Sequence, residues 1–132
     1  MLRRLAVATL AVLAVACSDS GAGSTRTITV GTDQVPVARL VDAHAGLCEA
    51  AARLDMARAL FFDRSHEALH TVARALEDVD RAQAAALLQA KEKVESELTT
   101  PPPTLRDDLL RLADVYRTGL GRLAITAPAC EK

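Results

Sequence analysis

Apolar residues recur every three or four positions along most of this chain, which is the spacing of amphipathic helices and not of strands. The first such run begins at Val37 and continues to about Leu60. The second begins between Asp63 and Ser65, either of which can cap a helix, and continues without a glycine or proline to about Leu98. The pattern therefore predicts two long helices joined by a short turn.

A third helix is predicted after residues 99–103, whose sequence TTPPP ends the second one. Thr104 and Asp107 resemble a capping box, and leucines at helical spacing continue to about Leu123. We therefore predict an all-α fold for residues 36–132, a small up-down-up three-helix bundle with a long central helix.

The predicted lengths are unequal. At 1.5 Å per residue the central helix is roughly 50 Å long and the third helix roughly 30 Å, so the third can cover only part of the central one. The pattern consequently predicts a tip of two helices, residues 49–77, which lies beyond the third helix.

The N-terminal residues follow a different pattern, in which two arginines precede a twelve-residue apolar run from Leu5 to Ala16 that is broken only by Thr9. This arrangement is typical of a signal peptide. The run is too short for a membrane span, because crossing about 30 Å of hydrocarbon takes about 20 apolar residues. We expect residues 1–16 to be removed and the mature domain to lie outside the cytoplasm.

The residues Leu13 to Cys17, LAVAC, resemble the lipobox of bacterial lipoproteins. This resemblance covers only residues 1–17. It implies that Cys17 carries fatty acyl chains such as palmitate and anchors the protein to a bacterial membrane, on the periplasmic side or at the cell surface. The three residues before Cys17 would equally suit an ordinary secretory peptidase.

Residues 17–35 are rich in glycine, serine, threonine and aspartate, and predict a flexible tether after the anchor. The alternating residues 25–30 could pair as a strand, but a lone strand in a helical chain has no partner. We therefore favour the tether.

Composition excludes several functions. Of 16 basic residues, two fall in residues 1–16, so 14 basic against 17 acidic residues give the mature chain a formal charge of −3. With two phenylalanines, one tyrosine and no tryptophan, the chain also lacks a stacking platform for bases, so we expect no nucleic-acid partner. No phosphate loop, nucleophile elbow or haem-attachment motif is present, and we expect neither catalysis nor an organic cofactor.

If Cys17 carries the lipid, Cys48 and Cys130 remain as a pair in an oxidising compartment, and we predict one disulfide between them. His44 lies four residues before Cys48 and falls within the apolar stripe of the first helix. It is either a ligand facing the core or, as we prefer, a core histidine with a hydrogen-bond partner.

The segment LFFDRSHEALH, residues 60–70, carries a candidate metal site formed by Asp63, His66, Glu67 and His70. Histidines four residues apart share one helix face and can hold zinc or copper(II), with a carboxylate or a second molecule completing the shell. The alternative is structural: the acids cap and stabilise the helix start, and the histidines are surface residues. We expect these side chains to face solvent.

Two phenylalanines precede this cluster at the predicted tip. If exposed, Phe61 and Phe62 would bury more area against a partner than a two-helix tip offers, and the alternative is a local lid over the hairpin end. We therefore expect a non-catalytic, lipid-anchored envelope protein that acts by binding a protein partner or by self-association. The alternative is an extracytoplasmic zinc- or copper-binding lipoprotein.

Overall fold

The computed structural model describes residues 25–132, so the predicted signal peptide, Cys17 and the start of the tether lie outside it. The described chain is mostly helical, which confirms the all-α class, with one small two-stranded sheet. Its elements are β1 (Thr27–Val30), β2 (Asp33–Pro36), α1 (Val37–Ala52), α2 (Ala57–Leu60), α3 (His66–Leu76), α4 (Arg81–Thr99) and α5 (Leu105–Arg122).

The long central helix is divided in two at residues 77–80. Asp80 leaves the helical conformation, with φ −154° and ψ 86°, and its carboxylate accepts a hydrogen bond from the backbone N–H of Gln83 at 3.0 Å. An aspartate at this position caps a new helix, α4, which folds back along α3. Val79, an apolar residue within the predicted central helix, is 59% exposed at this turn. The prediction of an uninterrupted helix was therefore wrong.

The first turn also differs in position from the prediction. Helix α1 ends at Ala52 and a short 3₁₀ turn, Leu54–Met56, precedes α2, so the chain reverses near residues 53–56. Helix α2 continues through a π-helical turn, Phe61–Ser65, into α3, so these three elements form one helical segment. The helical segments α1, α2–α3, α4 and α5 run antiparallel to one another in succession. Helix α4 packs against a face of α3 that the predicted two-helix tip would have left exposed.

The last part of the predicted tether is ordered. Thr27–Val30 pairs antiparallel with Asp33–Pro36 around a two-residue loop in which Gly31 adopts φ +63°. The strand thus has the partner that the sequence pattern did not reveal. The backbone oxygen of Arg26 accepts from the N–H of Val37, so the hairpin leads directly into α1.

The core is formed by leucines of α1, α3, α4 and α5 around Tyr116. The Tyr116 side chain is fully buried and donates a hydrogen bond from its hydroxyl to the backbone oxygen of Leu40 at 2.8 Å. After α5 the chain returns to α1, where the sulfur of Cys130 lies 2.04 Å from that of Cys48, the distance of a disulfide. Among the described residues, the helices are all too short or too polar to cross a membrane.

Candidate metal centre

The start of α3 is held against α1 by a close contact. The hydroxyl of Ser65, fully buried, donates to the backbone oxygen of Ala43 at 2.8 Å. A Cβ added to Gly46 would lie 2.8 Å from that hydroxyl oxygen, so only glycine permits this approach. The π-helical turn, of a kind common near functional sites, ends at Ser65, directly before His66.

Three potential ligands meet between α3 and α4, and we call His66, His70 and Glu95 the open cluster. One ligand atom from each lies within 4.8 Å of the others. The Nε2 atom of His66 lies 2.8 Å from a carboxylate oxygen of Glu95, and the two imidazole centroids are 4.8 Å apart. A tetrahedral ion with bonds of about 2.1 Å holds its ligand atoms about 3.4 Å apart, so small side-chain rotations suffice.

The open cluster is partly shielded and is flanked by a cation. The side chains of His66 and Glu95 are 34% and 26% exposed. The ammonium of Lys91, a residue only 4% exposed, lies 2.9 Å from the second carboxylate oxygen of Glu95. Desolvation by burial, followed by the charge of Lys91, lowers the pKa of His70, which favours the neutral imidazole that a metal ion requires.

The structure replaces part of the predicted ligand set. Glu67 lies on the other flank of α3, where its carboxylate accepts from the guanidinium of Arg39 at 2.7 Å. Asp63 is exposed on the π-helical turn and does not belong to the cluster. Glu95 takes their place, a residue that the sequence pattern did not distinguish from the other charged residues of the predicted central helix. His66 and His70 keep the relation predicted from their spacing. His70 is exposed, as predicted, whereas His66 is half-buried beside α4.

The two phenylalanines have different environments. Phe61 is fully buried in the core. It therefore does not provide the exposed surface on which the predicted partner binding depends. Phe62 is 40% exposed, and the guanidinium carbon of Arg58 lies 5.1 Å from its ring centroid. The ring of Phe62 also lies 5.3 Å from that of His66, which places it beside the open cluster.

A second group of ligand types, His44, Cys48 and Cys130, has similar spacing, and we call it the closed cluster. Its two sulfurs lie at disulfide distance, and the Nδ1 atom of His44 is 3.8 Å from the sulfur of Cys48. His44 is 2% exposed, and its ring stacks on Tyr116 with centroids 6.3 Å apart. Desolvation by burial, with a smaller contribution from Arg117, lowers the pKa of His44, so the ring is a neutral core group.

These arrangements differ in what they can do chemically. Sulfurs at disulfide distance are not available as separate thiolates, so the closed cluster is not a candidate metal site. The open cluster presents two imidazoles and one carboxylate near the surface, a donor set suited to zinc and copper(II). The sequence matches no protein-family profile, no curated protein and no solved structure, so the assignment rests on this geometry.

Proposed function

We propose that this protein is a lipid-anchored, extracytoplasmic helical domain that binds a divalent transition metal ion, zinc or copper(II), at the open cluster. The observation that carries the proposal is the convergence of His66, His70 and Glu95 within 4.8 Å, from two helices that a capped turn folds against each other. Three protein ligands leave a position for water or an exchangeable ligand, as expected for capture and release and not for a structural ion.

The anchor and the oxidised disulfide belong to the same proposal. The resemblance of residues 13–17 to a lipobox supports acylation at Cys17, and the distance between Cys48 and Cys130 supports a disulfide formed in an oxidising compartment. Intact-mass analysis of membrane-extracted protein tests the anchor. An unmodified Cys17 contradicts it.

Calorimetric titration with zinc and with copper(II) near neutral pH tests the metal site. We expect saturable binding of one ion to the wild-type protein, weakened in His66→Ala/His70→Ala by more than the roughly 10–100-fold that an outer-shell partner contributes. The matched control is His44→Gln, which alters a histidine outside the open cluster and should bind as the wild type does. Equal binding by all three proteins contradicts the proposal.

A second candidate, binding of an envelope protein partner, is favoured by a group of exposed apolar residues that we call the apolar tip. Leu54, Met56 and Phe62 are 46%, 38% and 40% exposed and lie within nine residues of one another in sequence. The tip follows the C-terminal end of α1, whereas the N-terminal segment meets its other end, about 24 Å away. An anchored protein would thus present the tip away from the membrane.

Substitution separates this candidate from the metal site. We expect Leu54→Ser/Met56→Ser to abolish self-association or capture of a partner in membrane extracts while leaving metal binding intact. The control is Ala59→Ser, a substitution at an exposed position of α2. Unchanged association in the double variant contradicts a role for the apolar tip.

A further inference from the structure

The open cluster supplies little negative charge to a bound ion. A divalent ion contributes +2, Glu95 −1 and Lys91 +1, so the protein and ion together keep a charge of +2 in a partly shielded place. Uncompensated charge away from bulk water is costly. With three protein ligands, the ion also has at least one coordination position free. An anionic external ligand would satisfy both requirements.

A polar pocket of about 410 Å³ lies next to the open cluster, between α3, α1 and the hairpin. His70 lines this pocket, as do Arg39 and Arg74. Two acids, Asp33 and Glu67, line it as well. His70, one of the proposed metal ligands, therefore lines a pocket that is also lined by two arginines.

The two arginines differ in availability. Arg39 is paired with Glu67 at 2.7 Å. Arg74, one helical turn after His70, makes no side-chain hydrogen bond or ion pair within residues 25–132. Its guanidinium can therefore accept a new partner without breaking an existing pair.

We infer that the ion is bound together with a small carboxylate chelator, which completes its coordination from the side of His70 and whose charge is received by Arg74. This inference rests on the metal site proposed above. A guanidinium matches a carboxylate in shape and can donate two parallel hydrogen bonds to it.

Zinc titrations with and without malonate, a small dicarboxylate, test the inference. The comparison uses wild-type protein, Arg74→Gln and the control Arg111→Gln, an exposed arginine of α5 that also makes no ion pair within the described chain. We expect malonate to tighten zinc binding roughly tenfold in the wild type and in Arg111→Gln, the effect of one charge-assisted hydrogen bond. In Arg74→Gln this gain is lost, while zinc still binds without malonate.

The outcomes separate the two proposals. If zinc binds to the open cluster but malonate has the same effect in all three proteins, the chelator is wrong and the metal site stands. If malonate binds equally well without zinc, the pocket is a separate anion site and the coupling is wrong. If zinc does not bind to the wild type in either buffer, both proposals fail.

Discussion

The closed and open clusters contain potential metal ligands at similar spacing but differ in whether their ligand atoms are free. Each brings three potential ligands within 4.8 Å of one another, and each uses histidine. In the closed cluster the sulfurs lie at disulfide distance and the imidazole is 2% exposed. In the open cluster the ligand atoms remain separate, beside solvent and a polar pocket.

Proximity of potential ligands does not by itself make a metal site. What matters is whether the donor atoms are already committed to each other and whether an ion can reach them. The closed cluster lies where the C-terminal segment is fastened to α1, so its chemistry serves stability. The open cluster lies on a seam between two helices that are fixed elsewhere, so its side chains can rearrange around an ion.

The largest effect should follow loss of the disulfide. The sequence separation of 82 residues predicts that Cys48→Ser/Cys130→Ser lowers the free energy of unfolding by roughly 4 kcal/mol, on a chain-entropy account. Thermal denaturation with and without a phosphine reductant measures this. Wild-type protein should lose stability on reduction, whereas the double variant should not respond. A thermal unfolding midpoint of the wild type that does not change with the reductant would contradict a stabilising role for the closed cluster.

A smaller loss is expected at the contact that fixes the start of α3. Gly46→Ala places a methyl group 2.8 Å from the hydroxyl oxygen of Ser65, and overpacking of this kind costs about 1–3 kcal/mol. Gly121→Ala is the matched control, since a Cβ there meets nothing within 4 Å and the exchange should stabilise helix α5 by about 0.5–1 kcal/mol. Denaturant unfolding compares them, and equal stability would show that the contact has room to relax.

The smallest effect concerns pH. Burial lowers the pKa of His44 below its usual 6.5, so the unfolded chain binds more protons there than the folded protein does at acidic pH. The stability from the neutral ring is therefore fully present above pH 6.5 and is lost as the pH falls through the lowered pKa. Denaturant unfolding at a series of pH values should show a shallower acid loss in His44→Gln than in the wild type. Identical slopes would contradict the burial argument.

The sequence predicted those features that depend on spacing within one helix. The start of α1, the position of α5 and the shared face of His66 and His70 follow from local periodicity, and the proximity of Cys48 to Cys130 follows from the cysteine count. The hairpin and the break at Asp80 did not, because the cap depends on a single aspartate within an otherwise continuous apolar pattern.

The third ligand was missed for the same reason. An antiparallel turn centred on residues 80–81 places Glu95 level with His66 and Lys91 level with His70, as the structure shows. Without that turn, Glu95 is one of many charges on a solvated face. Glu67 is adjacent to His66 in sequence but points away from the seam, where Arg39 binds it.

The most direct test of the proposed metal site compares substitutions of two glutamates. Calorimetric zinc titrations of Glu95→Gln and Glu67→Gln separate the ligand that the fold supplies from the one that the sequence pattern suggested. We expect Glu95→Gln to weaken zinc binding at least about tenfold, while Glu67→Gln binds zinc as the wild type does. Equal affinities in the two variants, or a loss confined to Glu67→Gln, would contradict the assignment of the open cluster.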